Sequence, residues 1–317
     1  MEQTAVLLMA YGSPVDLEDI EPYYTDIRRG RPPTGDALAT LTDRYSAIGG
    51  VSPLAEVTEA QRTQLQRELD AAEPGRYLVS LGFKHASPKV EDAARDLAEQ
   101  GHLQIVGLVL APHYSARSVG DYLDRLQQGV ASSNRDPIVA KIKSWATAPA
   151  FIDFLADDLR DRLTAMQTRT ERTVRVLFTA HSLPERIIAE GDPYPDELRA
   201  TAKAVADRLG LREGDDWQVA WQSAGRTSDP WIGPDILTVI DEFGVDDDIG
   251  GVIICACGFV ADHLEVLYDL DIEAARRAAT HSIEFDRSAS VNANAAVAKE
   301  LAALVREAAD AASAARS

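Results

Sequence analysis

The sequence predicts an α/β fold in which one parallel-sheet plan is used twice. Apolar, strand-length runs alternate with amphipathic stretches about a dozen residues long, the pattern of strands joined by crossover helices. The runs fall into two sets of four whose members resemble one another in order. The length of 317 residues suits two domains, or one large domain with an internal duplication.

The first set is Ala5–Ala10, Tyr77–Phe83, Ile105–Ala111 and Val139–Trp145; the second is Val174–Ala180, Trp217–Gln222, Gly251–Phe259 and Ile283–Phe285. Helices are expected over 56–72, 88–100, 117–128, 150–166, 195–209, 262–279 and 294–311, with the Ala-rich tail after Asp310 fraying. Leu7-Leu-Met-Ala-Tyr-Gly-Ser-Pro14 parallels Leu177-Phe-Thr-Ala-His-Ser-Leu-Pro184. Tyr77–Pro88 parallels Trp217–Pro230, and Leu108-Val-Leu-Ala-Pro-His113 parallels Ile254-Cys-Ala-Cys-Gly-Phe259. The boundary then falls near residue 148, giving halves 1–148 and 149–317.

Ligands of open α/β sheets bind beyond the carboxyl ends of the strands. Tyr11, His85, His113, His181, Ser223 and Asp262 each follow a predicted strand, and two facing halves would aim them into one cleft. Four of the six histidines (85, 113, 181 and 263) sit at or just past strand ends, which points to chemistry.

Charge excludes some functions. With 51 acidic and 32 basic residues the net charge is −19, which argues against nucleic acid or anionic lipid as partner. No apolar run reaches the ~18–20 residues of a membrane span. The N-terminal Met-Glu-Gln-Thr lacks the features of a signal peptide, so a cytoplasmic protein is expected. The two cysteines, Cys255 and Cys257, read as small buried hydrophobes in a strand, where i and i+2 spacing does not favour a disulfide.

The segment from Val260 to Ala274 is the most informative. Glu265, Asp269 and Glu273 recur at i, i+4 and i+8, a single line on a helix whose other positions are mostly apolar. Like charges so placed repel, and partial burial raises the cost. A cation, a shared proton or a water channel would offset it; an ordinary polar face meeting solvent is the alternative. His181 supplies the natural partner, since imidazole serves as a base near neutral pH and as a ligand for borderline divalent metals. A basic island, Ile27-Arg-Arg-Gly-Arg-Pro-Pro33 with Arg44, Tyr45 and Ser52 soon after, is either a solvated loop or a landing site for an anionic ligand. There is no Gly-x-Gly-x-x-Gly and no P-loop, which argues against a nucleotide enzyme.

Together these segments resemble the ferrochelatase family, specifically its coproporphyrin branch of Gram-positive and actinobacterial type. The resemblance runs through Met9-Ala-Tyr-Gly-Ser-Pro14, Tyr23-Tyr-Thr-Asp-Ile-Arg-Arg-Gly-Arg31, Arg44-Tyr-Ser-Ala-Ile-Gly-Gly-Val-Ser-Pro-Leu54, Leu110-Ala-Pro-His-Tyr-Ser115 and Ala180-His-Ser-Leu-Pro-Glu185. It continues through Gly191-Asp-Pro-Tyr-Pro195, Trp221-Gln-Ser-Ala-Gly225, Asp229-Pro-Trp-Ile-Gly-Pro234 and Gly258-Phe-Val-Ala-Asp-His-Leu-Glu-Val-Leu-Tyr-Asp269.

The resemblance implies two Rossmann-like halves with four-stranded parallel sheets enclosing a porphyrin cleft. It also implies insertion of Fe2+ into coproporphyrin III, giving Fe-coproporphyrin III (coproheme) in haem biosynthesis. Carried over by position, the metal-binding and catalytic pair is His181 and Glu265, with Asp269 and Glu273 as an acidic relay. Tyr11 would approach the iron from the other face. Tyr11, Arg28, Arg44, Tyr45, Ser52 and Tyr122 match porphyrin-contacting positions. Coproporphyrin carries four propionates, which suits an arginine-rich rim. Fe2+ is then a substrate, and no tightly bound cofactor is expected. Some actinobacterial members hold a [2Fe–2S] cluster on four cysteines, but this chain has two, so no cluster is expected. The family's proline shortly after Asn292 is absent, which bears only on where the last helix starts. A monomer is expected, with possible transient contact to a coproheme decarboxylase. The alternatives are a protoporphyrin IX or cobalt-inserting relative, or a non-catalytic tetrapyrrole or metal carrier.

Overall fold

The computed structural model describes residues 3–225 and 229–316. The stretch Trp217–Pro230, read above as one half of a repeat pair, includes residues 226–228, which lie outside the described residues. The chain divides into two compact units. One comprises Met1–Trp145 together with Asn292–Ser317; the other is Ala146–Val291.

In the first unit the order is β1 (Thr4–Ala10), α1 (Ile20–Ile27), α2 (Gly35–Ala47), α3 (Leu54–Ala72), β2 (Tyr77–Phe83), α4 (Val90–Glu99), β3 (Gln104–Val109), α5 (Val119–Ser132) and β4 (Ile138–Ile142). The four strands are parallel in the order β2-β1-β3-β4, with Leu7 opposite Ser80 on one side and Gly107 on the other. Every residue of β1 is buried, as expected of a central strand covered on both faces. Leu7, Met9, Ile105 and Val109 pack with Val90, Leu97, Leu123 and Leu126 of α4 and α5. Gly129 lets α5 close on α4: a Cβ there would lie 2.2 Å from the Glu91 carbonyl oxygen.

The second unit runs α6 (Pro149–Gln167), β5 (Thr173–His181), α7 (Arg186–Ala189), α8 (Tyr194–Leu209), β6 (Trp217–Gln222), α9 (Ile236–Gly244) and β7 (Ile249–Cys255). A π-helix (Glu265–Ala274) follows, continuing directly into α10 (Ala275–Thr280), and then β8 (Glu284–Arg287). Its strands are parallel in the order β6-β5-β7-β8. Replacing β1 to β4 by β5 to β8 turns one sheet order into the other, so the repeated motifs correspond to a repeated topology.

Three features differ from the sequence reading. The last helix, α11 (Ala295–Arg316), was expected within a 149–317 half; it belongs to the first unit, where it packs on α3, β3 and β4. Gln104 Nε2 in β3 donates to the Ala309 carbonyl at 2.6 Å. Arg316 reaches Asp136 at 3.1 Å, so the tail expected to fray after Asp310 is helical through Arg316. In place of the missing proline, the Asn294 side chain accepts from the N–H groups of Ala296 and Val297 and caps the helix start.

The run expected as strand over Gly251–Phe259 stops at Cys255. A tight turn, with the Cys257 N–H on the Cys255 carbonyl at 2.8 Å, ends it, and both thiols are buried and unbridged. The segment 262–279, expected as an ordinary helix, is π-helical in its first part: the Ala275 N–H reaches the Leu270 carbonyl, five residues back.

Candidate functional site

Open parallel sheets bind ligands where neighbouring crossovers leave in opposite directions, at the carboxyl ends of the central strands. In the second sheet that place lies between β5 and β7. His181 is the last residue of β5, paired with Gln222 of β6, and the Tyr194 hydroxyl donates to the His181 carbonyl at 3.0 Å. The Trp231 ring stands edge-on to the imidazole, with centroids 6.4 Å apart.

The chain leaving β7 is drawn against β5. The Gly258 N–H donates to the Thr179 carbonyl at 2.9 Å. A Cβ on Gly258 would sit 2.3 Å from the Ala180 Cβ, so only glycine permits this approach. Seven residues further on, Glu265 opens the π-helix. His181 Nδ1 donates to Glu265 Oε2 at 3.1 Å, and each side chain is 34% exposed. His263 adds a second imidazole, with Nε2 3.8 Å from the same carboxylate oxygen. Its Nδ1 faces the Ala261 carbonyl at 2.9 Å, and because a carbonyl only accepts, that nitrogen carries a proton.

Burial alone would raise the Glu265 carboxyl, but His181 and then His263 reverse this and hold it well below the carboxylate range. Burial alone would lower His181; the Glu265 charge overcomes it and leaves the imidazole above its usual value. Imidazole and carboxylate thus each favour the charged form of the other.

Behind this pair runs the line of carboxylates. Asp269 is 7% exposed, whereas Glu273 lies at the surface. The Ser223 hydroxyl donates a hydrogen bond to Asp269 Oδ2. Ser223 stands just past β6 with φ +59°, a left-handed conformation that costs a non-glycine residue about 1–3 kcal/mol. Alongside the acidic line, Val266, Leu270 and Ala274 pack into the core with Val239, Ile240, Val252 and Ile254. Among the described residues, no group of three or more His, Cys, Asp or Glu side chains is gathered closely enough to hold a metal by itself.

The remaining expected site residues lie in the first unit. Tyr11 follows β1 and is 42% exposed, with its ring 4.6 Å from that of His85. His85 Nδ1 lies 2.7 Å from Asp26 Oδ2, which also takes Lys89 at 2.8 Å. Burial keeps His85 below its usual value despite that carboxylate. Tyr122 is buried beside this group, with the Lys84 ammonium 5.2 Å from its ring centroid. Arg28 is exposed at the end of α1, packed on the Tyr24 ring, and Arg44 is half-buried in the last turn of α2. Tyr45 and Ser52 are buried, and Ser52 Oγ accepts the Leu54 N–H at the start of α3.

Sequence reasoning assigned no role in the site to His263 or to the Ser223–Asp269 link. His263 carried a signal, lying two residues before Glu265 in the same motif. Ser223 carried only its position after a strand.

The family model described as Ferrochelatase matches residues 3–309. A ferrochelatase of Herpetosiphon aurantiacus is 39% identical over 290 residues, covering 92% of this chain and 94% of the relative. A coproporphyrin III ferrochelatase of a Geobacillus strain is 40% identical over 294 residues, with 92% and 94% coverage. Another, of Anoxybacillus flavithermus, is 42% identical over 269 residues and 84% of each chain. Among solved structures, SirB from Bacillus subtilis with Fe3+ shares the fold, with a TM-score of 0.57 at 14% identity, covering 97% of this chain and 96% of that one.

Proposed function

This chain belongs to the ferrochelatase family, and on that premise we propose that it inserts Fe2+ into coproporphyrin III to form coproheme. The observation that carries the reading is the His181–Glu265 pair at the β5/β7 switch point, backed by a carboxylate line that ends at the surface. Metallation brings one Fe2+ in and sends two pyrrole protons out. His181 offers imidazole nitrogen and Glu265 carboxylate oxygen, a mixed donor set suited to a borderline divalent ion. Arriving iron sends the pair's proton to the carboxylate line, and as the ion passes to the macrocycle the freed imidazole and carboxylate accept the two protons from its N–H bonds. Asp269 and Glu273 pass these protons towards water.

The first unit takes the porphyrin side of the work. Arg28 and Arg44 offer guanidinium forks to propionates. Ser52, whose oxygen already accepts the Leu54 N–H, can donate its own proton to a carboxylate. Tyr45 and Tyr122 contact the ring, and Tyr11 supports the product iron axially. The relatives named for coproporphyrin III favour that substrate over protoporphyrin IX.

The reading extends to a monomer working in the cytoplasm and handing coproheme to a decarboxylase by transient contact. Among the described residues, no helix is long and apolar enough to cross a membrane. The chain carries no [2Fe–2S] cluster in this account. Such a cluster needs four thiolates, and the two thiols present are buried within and just after β7. Iron and sulfide assays on anaerobically purified protein should return no stoichiometric cluster. The site itself is tested by His181→Ala, which should abolish turnover while coproporphyrin binding, followed by fluorescence quenching, persists. An active His181→Ala enzyme would remove the pair from the mechanism.

A further inference from the structure

Ser223 touches the buried member of the proposed proton path. Asp269 is the buried member of the carboxylate line, and a buried carboxylate is stable only when hydrogen-bonded. Ser223 provides such a bond, from its hydroxyl to Asp269 Oδ2. It does so from a left-handed backbone conformation, φ +59°, that serine adopts only when its surroundings impose it. Those surroundings are visible. The Gln222 carbonyl is held by the Ser182 N–H at 2.8 Å, and Trp231 closes against Gly225, where a Cβ would lie 2.3 Å from the indole. Ser182 directly follows His181 and the Trp231 ring stands edge-on to it, so the residues on either side of Ser223 are tied to the strand end that presents the metal pair.

We propose that Ser223 is a positioning residue for metal insertion: its hydroxyl holds the Asp269 carboxylate in line behind Glu265, so that protons leave the His181–Glu265 pair through Asp269. This rests on the ferrochelatase reading above and adds to it a residue outside the metal pair and the carboxylate line. Neither strain nor hydrogen bond alone supports the assignment. A strained serine without a partner would suggest a folding constraint, and a relaxed one would suggest simple solvation of the carboxylate.

The test compares wild type with Ser223→Ala, Ser223→Gly, Asp269→Asn and the double variant Ser223→Ala/Asp269→Asn. The readout is anaerobic Fe2+ insertion into coproporphyrin III. Ser223→Gly removes the hydroxyl while relieving the backbone, so it separates the hydrogen bond from the strain. Far-UV circular dichroism and thermal unfolding check that each variant folds. The expected result is a roughly 10- to 100-fold loss of kcat in both single serine variants, with KM for porphyrin unchanged. In the Asp269→Asn background the serine substitution should add less than about twofold, because both changes cut the same link. Full activity of Ser223→Gly, or equal multiplicative losses in the double variant, overturns the assignment. Absence of turnover in wild type overturns the ferrochelatase reading itself, which keeps the two failures apart.

Discussion

The contact between His181 and Glu265 fixes the direction in which each responds to pH. His181 is raised, so its stabilising contribution is present below the unfolded value of ~6.5 and is lost as pH rises through its folded value. Glu265 is lowered, so its contribution is present above the unfolded value of ~4.3 and is lost only as pH falls through its folded value. Metal-free protein should therefore lose thermal stability as pH climbs past neutrality, and Glu265→Gln should lack that component. A wild-type minus Glu265→Gln difference in Tm that stays flat from pH 6 to pH 9 would contradict the pairing. On the proposed role of the pair as metal ligands, Fe2+ affinity should rise with pH over the same interval, because metal and proton compete for the same atoms. A separate residue acts at acid pH. Burial pushes His113 down to about 3, so its contribution is intact above ~6.5 and disappears as pH falls from there towards 3. The pair was legible in the sequence as residue types, but its contact was not, because it joins residues 84 apart at 3.1 Å.

At the scale of elements, the turn at Gly258 and the π-helix decide where Glu265 stands. Gly258→Ala should move the chain off β5 and lengthen the His181–Glu265 contact, lowering Fe2+ insertion far more than porphyrin binding. Equal insertion rates in Gly258→Ala and wild type would show that the close approach to Ala180 is not what sets the pair. Leu270→Ala, which empties a fully buried position among Val252, Ile254 and Ile240, should cost about 2–5 kcal/mol in urea unfolding. Strands were legible because their apolar runs are short and bounded, and β2 and β6 run over the residues expected. The π-helix was not, since five-residue bonding leaves no mark on composition and the four-residue repeat also fits an α-helix. Helices α1, α2 and α9 escaped for different reasons. The first two are largely solvent-facing, and α9 carries Ile236, Leu237, Val239, Ile240 and Phe243 in a run short enough to pass for strand.

The whole molecule shows the limit of reading along the chain. The duplicated motifs anticipated two sheets of one topology, and the observed orders match under β1 to β4 becoming β5 to β8. Membership of the last helix was not anticipated, because sequence adjacency suggests the second unit while packing decides for the first. In the second unit α6 and α8 pack together and α9 packs with the π-helix and α10, whereas beside α3 in the first unit there is a place that α11 fills. Truncation before Ala295 should therefore destabilise the first unit, seen as loss of amide protection in β3 and β4 rather than in β5 to β8. The measurement that bears most directly on function is anaerobic mixing of Fe2+ with coproporphyrin III and, separately, with protoporphyrin IX, followed by absorbance. Many turnovers to coproheme are expected on the first and little or none on the second. Binding of coproporphyrin without metallation, or faster turnover of protoporphyrin, would contradict the proposed function.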